Sequence, residues 1–286
     1  MFYMPDHFMP QRPVVAIHPK MPEALTEARA IAAFLKEKGL DAPTGSLYDE
    51  SLRRRVKDGK FDLLIALGGD GTMLRAAHLC APPGVPILGI NLGRLGFLIQ
   101  VERKGWRKSL NQLLNGKAWI EKRMMLRVEY LRDGKSRGVL HALNEAVVSR
   151  GQVIRPVRLS VDVDGRLLTT YVADGLIAAT STGSTAYALA AGGPILPPEL
   201  RNILIVPIAP HLSVERAVVL SEGTSVSIAI QGGNTVLSVD GQEPLSLAEG
   251  DVVNVCADEF TAQFVRFGNP GYFYRNLTAH MNQNSI

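Results

Sequence analysis

The 286-residue chain has only two cysteines, 6% aromatics, and a formal net charge of +4 from 31 Lys+Arg against 27 Asp+Glu. Each scarcity excludes a class. Cys80 and Cys256 lie far apart and match no metal-ligand or redox spacing, so neither a disulfide scaffold nor a zinc module is expected. A secreted protein of this size more often carries several disulfides, so a reducing cytoplasm is the expected compartment. No run approaches the roughly 18 apolar residues of a membrane helix. Residues Met1 to Pro13 mix Asp6, His7 and three prolines, which is not the order of a secretory signal. The small net charge argues against a nucleic-acid partner, which needs a concentrated basic stripe.

What is present is the balance of a folded chain: 46% hydrophobic and 20% charged residues, with length enough for two domains. The basic excess is uneven, with 18 Lys+Arg against 12 Asp+Glu over 1–122 and 13 against 15 afterwards. In the first part, short β-branched or apolar runs alternate with helical spacing. Val14–Ile17 reads as a strand, a helix opens at Pro22 and ends near Gly39, and Leu63–Leu67 reads as a second strand. A helix from about Thr72 to Cys80 is broken by Pro82, Pro83 and Pro86, and Ile87–Ile90 makes a third strand. This order predicts an α/β domain with a parallel sheet.

After about Met124 the period becomes two. Asp133-Gly134 and Asp164-Gly165 mark hairpins, and Gly232-Gly233-Asn234 between Val226–Ile230 and Thr235–Val239 reads as another. A mostly antiparallel β domain follows from that pattern. Gly134-Lys135-Ser136 lacks the first glycine of a phosphate-binding loop, because position 129 is Glu129, and reads as a turn.

Two segments carry chemistry. Leu67-Gly68-Gly69-Asp70-Gly71-Thr72 lies between a strand and a helix, where backbone amides and the helix dipole suit an anion. Asp70 there is costly beside phosphate unless it holds a cation or accepts a proton. The second segment, Asp174-Gly175 through Gly183-Ser184-Thr185-Ala186-Tyr187 to Gly192-Gly193-Pro194, sets hydroxyls and glycines beside one carboxylate. Glu145 between apolar neighbours would be expensive if buried without a partner, which favours a ligand role. The six histidines form no metal-binding grouping, and Arg53-Arg54-Arg55 reads as a solvated helix face.

Together with Asn91 to Leu98, Asn144-Glu145, Val206 to Ser213, Val239 to Gln242 and Arg275-Asn276-Leu277, these segments resemble the NAD kinase family, in order from about Val14 to Leu277. The glycine–aspartate loop alone is shared with 6-phosphofructokinases and with diacylglycerol and sphingosine kinases; the Asp174–Pro194 segment distinguishes NAD kinases. The resemblance implies phosphorylation of NAD by ATP with Mg²⁺ or another divalent cation, and a homodimer or homotetramer. It also implies an α/β domain over 1–122, a C-terminal β-sandwich domain over 123–267, and a tail, 268–286, returning to the first.

Residue by residue, the resemblance makes Asp70 the proton acceptor and sets Gly68, Gly69, Gly71, Thr72 and Arg75 at the donor phosphates. It assigns Asn144 and Glu145 to the adenosine end of NAD, Asp174 to the nicotinamide side, and Thr185, Ala186 and Tyr187 to the pocket wall. Ala190, Ala209, Gln242 and Arg155 match further contacts. The sequence departs from the family pattern at Ala179 and Ser181, in a segment usually Ser-Thr-Pro-Thr, and at Ala190, usually serine. The lost hydroxyls imply weaker dinucleotide binding. A lipid kinase and a catalytically silent NAD(P)-binding sensor are the competing readings. The first lacks a membrane-facing apolar helix, and the second is expected to have lost Asp70.

Overall fold

The computed structural model describes residues 8–18, 22–93, 96–152, 155–211, 215–271, 273–274 and 277. The chain divides into two compact units, one up to Lys122 plus the chain from Thr261, the other Arg123–Phe260. The return to the first unit thus begins at Thr261 and not at Gly268. The cause is that the last strand is a single long element, Val252–Phe267, whose final residues pair in the first unit.

The first unit contains β1 (Pro13–Ile17), α1 (Pro22–Glu37), β2 (Thr44–Ser46), α2 (Glu50–Lys57), β3 (Leu63–Gly68), α3 (Asp70–Cys80), β4 (Ile87–Asn91), β5 (Val101–Glu102) and α4 (Trp106–Leu114). Helix α1 buries Ala24, Ala28, Ile31 and Leu35, a stripe at helical spacing, and Gly39 follows at φ +83°, where a side chain would be strained. The strands run parallel in the order β2-β1-β3-β4, and Phe264 pairs with Ile87 beyond β4. Connections therefore leave β1 and β3 in opposite directions. In open α/β sheets the carboxyl edge at such a reversal forms the ligand crevice. The register sets Gly68, the end of β3, beside Asn91, the end of β4.

The second unit is built from β6 (Ala118–Arg132), β7 (Lys135–Ala142), β8 (Glu145–Arg150), β9 (Val157–Val163), β10 (Arg166–Ala173), β11 (Gly175–Thr180), α5 (Tyr187–Ala190), β12 (Asn202–Ile208), β13 (Val218–Ser221), β14 (Val226–Gly232), β15 (Thr235–Val239), β16 (Leu245–Leu247) and β17 (Val252–Phe267). The boundary between units falls inside β6 and β17. One antiparallel sheet runs β13-β12-β11-β8-β15-β16, and the other layer contains β10-β9-β14-β17 and the β6–β7 hairpin. Their facing residues, among them Val128, Leu159, Val161 and Ile228 from one layer and Val148, Ala178, Ile205 and Leu237 from the other, make one core. That is a sandwich.

The turns at Asp133-Gly134 and Asp164-Gly165 hold positive φ at both residues, as the right-handed twist of a two-residue hairpin requires. The expected hairpin at Gly232-Gly233-Asn234 does not form. Strand β14 pairs with β9 and β17, whereas β15 pairs with β8 and β16 in the opposite layer. Gly232 and Gly233, at φ +152° and +100°, carry the chain across from one sheet to the other.

Candidate functional site

In the first unit the glycine–aspartate loop joins β3 to α3. Gly69 caps the helix in extended conformation and Asp70 is its first residue, so Thr72 N–H and Met73 N–H turn back to the Gly69 carbonyl at 2.9 and 3.2 Å. Gly68 cannot carry a side chain, because a Cβ would overlap the buried Thr72 hydroxyl. Gly69 and Gly71 face open space, leaving their backbone accessible to a bulky anion.

The Asp70 carboxylate is gripped by the neighbouring loop. Phe97 N–H donates to Oδ2 at 2.9 Å and Leu98 N–H to Oδ1 at 3.3 Å, and a Cβ on Gly96 would fall on the same carboxylate. The loop is itself folded back: Leu92 N–H donates to Gly68 O at 3.3 Å, and the buried Asn91 side chain accepts from Gly93 N–H at 3.0 Å. Two segments singled out separately in the sequence are thus one construction, although Arg94 and Leu95 lie outside the described residues. Arg75 is exposed on α3 with its guanidinium 4.7 Å from the Tyr48 ring centre. The Tyr48 hydroxyl lies 3.4 Å from His18 Nε2.

In the second unit Asp240 organises the other cluster. Its carboxylate accepts three consecutive amides, Leu143 N–H at 2.7 Å and Asn144 and Glu145 N–H at 2.9 Å each, and its own N–H donates to Glu145 O at 3.0 Å. Thr180 closes the other side: its hydroxyl donates to Leu143 O at 2.6 Å, its N–H to Asn144 O at 2.8 Å, and Gly183 N–H donates to the hydroxyl at 3.0 Å. A Cβ on Gly183 would strike the Asn144 carbonyl, so only glycine permits this approach.

Within this cage Glu145 is 8% exposed, and its Oε2 is buried with no hydrogen-bond partner among the described residues. Burial first, and then the negative charge of Asp240, push its carboxyl up to about 7, with the Tyr187 N–H acting the other way. An orphaned buried carboxylate oxygen is an acceptor position for a hydroxyl or amide of a ligand. The Ser181 hydroxyl is likewise buried without a partner.

The remaining sequence-derived positions are distributed along the same unit. Asp174 pairs with Arg150 at 3.0 Å on a half-exposed surface. Thr185 ends a 3₁₀ turn, its hydroxyl donating to Thr182 O at 3.2 Å, and Ala186 follows, its N–H donating to Gly183 O. Tyr187 and Ala190 are exposed on α5, Gln242 is exposed after the Asp240 turn, and Arg155 is exposed just before β9. Ala209 holds φ +44°, a left-handed conformation that costs a non-glycine residue of order 1–3 kcal/mol. Arg275 and Asn276, and the tail from residue 278, lie outside the described residues, as do residues 212–214.

Known proteins match the segments of both units. The model of the ATP-NAD kinase N-terminal domain matches residues 14–118, and that of the ATP-NAD kinase C-terminal domain matches 143–267. An NAD kinase of Chloroflexus aggregans is 38% identical over 274 residues, covering 96% of this chain and 99% of the relative. One from Symbiobacterium thermophilum is 42% identical over 248 residues, covering 86% and 83%. The chain belongs to the NAD kinase family. It is therefore an enzyme, a phosphotransferase acting on NAD. Among solved structures, yeast NADH kinase complexed with NADH superposes with a TM-score of 0.84 at 25% identity, covering 100% of this chain and 94% of that one. An NAD kinase from Archaeoglobus fulgidus in complex with ATP gives 0.74 at 25% identity, covering 93% and 97%.

Against the family frame, sequence reading missed Asp240 as a site residue. Asp-Gly signals a turn, and nothing local shows that the turn's carboxylate takes three amides from about 95 positions upstream. It also missed Arg150, the partner of Asp174, and Gln100, Glu121 and Arg266, whose contacts are all distant in sequence.

Proposed function

We propose that the chain transfers the terminal phosphoryl group of ATP to the 2′-hydroxyl of the adenosine ribose of NAD, yielding NADP and ADP. Asp70 accepts the hydroxyl proton as the ribose oxygen bonds to phosphorus, and the P–O bond to ADP breaks with its electron pair leaving on ADP. The observation that carries this reading is the Asp70 carboxylate, fixed by two amides at a helix start whose flanking glycines are open. Phosphoryl transfer asks the protein mainly for positioning and charge neutralisation, which amides at a helix N-terminus supply. The second unit contributes the dinucleotide contacts: the orphaned Glu145 oxygen accepts from a ribose hydroxyl, and Asn144, held by Asp240 and Thr180, flanks it.

Mg²⁺ typically takes one or two carboxylates and completes its shell with water and substrate phosphates. Among the described residues no group of three or more His, Cys, Asp or Glu could hold a metal ion by itself; a cation arriving on ATP would be held by the phosphates, with Asp70 as the candidate protein carboxylate. Bound there, the cation supplies neutralisation of the phosphate charge. Among the described residues no helix is long and apolar enough to cross a membrane. A cytoplasmic location agrees with two unbridged cysteines, of which Cys80 is buried. A homo-oligomer would cover the apolar side chains Leu167, Leu168 and Val219 exposed on the edge strands β10 and β13.

The test is an assay of NADP formation by the purified protein with a matrix of ATP, other nucleoside triphosphates or polyphosphate, and NAD or NADH. NADP from ATP and NAD is expected; no NADP from any combination overturns the reading.

A further inference from the structure

The loop that grips Asp70 is held from behind by buried groups that play no part in the proposed chemistry. Arg266, near the end of β17 and 1% exposed, donates from Nη1 to the Leu98 carbonyl at 2.9 Å and from Nε to Glu121 Oε2 at 2.8 Å. Glu121, on β6, is 5% exposed. The next residue, Phe267, pairs with the Gln100 side chain in both directions: its N–H donates to Oε1 at 3.0 Å, and Nε2 donates to its carbonyl at 2.9 Å. Leu98 is thus engaged on both sides, its carbonyl by Arg266 and its N–H by Asp70. All these residues lie in the first unit.

A buried ion pair is expensive to desolvate, and well-packed apolar residues of similar volume often give equal or greater stability. The charged pair here does something an apolar pair could not do: it fixes the carbonyl of Leu98, the same residue whose own N–H holds the carboxylate. We propose that the Arg266–Glu121 pair, together with Gln100, positions Asp70 for phosphoryl transfer by anchoring the Phe97–Gln100 segment to the end of β17. The inference rests on the assignment of Asp70 as proton acceptor. Arg266, Glu121 and Gln100 are positioning residues, acting through the Phe97–Gln100 segment. They explain why the chain returns to the first unit after Thr261: its last strand brings both anchors to the acceptor loop.

The test is a double-mutant cycle on the full chain. Arg266→Lys and Asp70→Asn are made singly and together, with kcat and the KM values for NAD and ATP measured for each. A misplacement of about 1 Å can cost on the order of 100-fold in rate. Arg266→Lys is expected to lower kcat about 10- to 100-fold while both KM values stay within about threefold. In the Asp70→Asn background the same substitution is expected to change kcat less than about twofold, because the group it positions is gone. Glu121→Gln is expected to reproduce the kcat loss in milder form. Near-parental kcat in Arg266→Lys, or a loss repeated in full in the Asp70→Asn background, overturns the inference. Near-parental kcat in Asp70→Asn instead overturns the proton-acceptor assignment itself. Should Arg266→Lys give no cooperative thermal transition, Gln100→Ala, at a half-buried position, replaces it in the cycle with the same expected and overturning results.

Discussion

Asp70 and Glu145 are two carboxylates handled in opposite ways. Asp70 begins a helix, is half-buried, and has each oxygen engaged by a backbone amide. Glu145 is buried beside a second carboxylate, and one of its oxygens is left without a partner. The first is oriented before any substrate arrives, as suits a group acting on a reacting atom. The second is held in a destabilised condition, as suits the recognition role proposed for it. Backbone placement produces the difference. The loop that follows β4 delivers the Phe97 and Leu98 amides to Asp70, whereas at Glu145 the local amides are already taken by Asp240.

The strongest way to break the comparison is Asp70→Asn, which keeps shape and removes the proton acceptor. The rate of NADP formation is expected to fall about 10²- to 10⁴-fold with the NAD KM within threefold. A loss confined to KM would make Asp70 a recognition group like Glu145.

Gly183→Ala attacks the other cage. A Cβ there meets the Asn144 carbonyl, which is backbone and cannot rotate away. Overpacking of this kind costs about 1–3 kcal/mol. The expected outcome is a lower melting temperature and a raised NAD KM with an unchanged ATP KM; an unchanged NAD KM would detach Asn144 from recognition.

Glu145→Gln sharpens the comparison through pH. The carboxyl is raised from its ordinary 4.5 to about 7 by burial and by Asp240, so the folded state holds a proton that the unfolded state has released between those values. Stability from this group is complete below about pH 4.5, falls as pH rises towards 7, and is flat above. The loss is about 3 kcal/mol. Glu145→Gln is therefore expected to flatten the melting temperature across pH 4.5–7 and to raise it at pH 8, while the NAD KM increases about tenfold. A variant less stable than the parent at pH 8 would mean that Glu145 is satisfied in the free protein.

How much of this was legible depended on sequence distance. Strands β1, β3 and β4 are short apolar runs bounded by breakers, and the Asp-Gly turns name their own geometry. Helix α2 is legible only as the solvated face of Arg53-Arg54-Arg55, because just Leu52 and Val56 of its eight residues are buried. Helix α4 escaped notice, although Trp106, Leu110 and Leu113 follow helical spacing. The strands β14 and β15 look like a hairpin because the diglycine signal is local, while the pairing that overrides it comes from β9, β17, β8 and β16. At the site, Asp70 and Glu145 were visible as residue types in the wrong company for an inert surface or core. The groups that hold them were not, because Asp240 and Arg266 act on residues about 95 and 168 positions away. Gly96 stood in a legible motif, yet its reason, room for the Asp70 carboxylate, exists only in the folded chain.

The smallest expected effect concerns Ala190, where the family pattern has serine. Ala190 is exposed as the last residue of α5, so a hydroxyl there displaces nothing in the core. Ala190→Ser is expected to leave the melting temperature within about a degree. One restored hydrogen bond to the dinucleotide is worth about 0.5–1.5 kcal/mol, so the NAD KM is expected to fall about two- to tenfold. The contrast with Ser181 isolates the cause. Its hydroxyl is already buried without a partner among the described residues, so Ser181→Ala removes an unsatisfied group and should raise stability slightly. A lower KM in Ala190→Ser, set against a higher melting temperature in Ser181→Ala, would separate a hydroxyl that meets substrate from one that meets nothing. An unchanged or higher KM in Ala190→Ser would place the end of α5 outside the recognition surface and leave Glu145 and Asn144 as its centre.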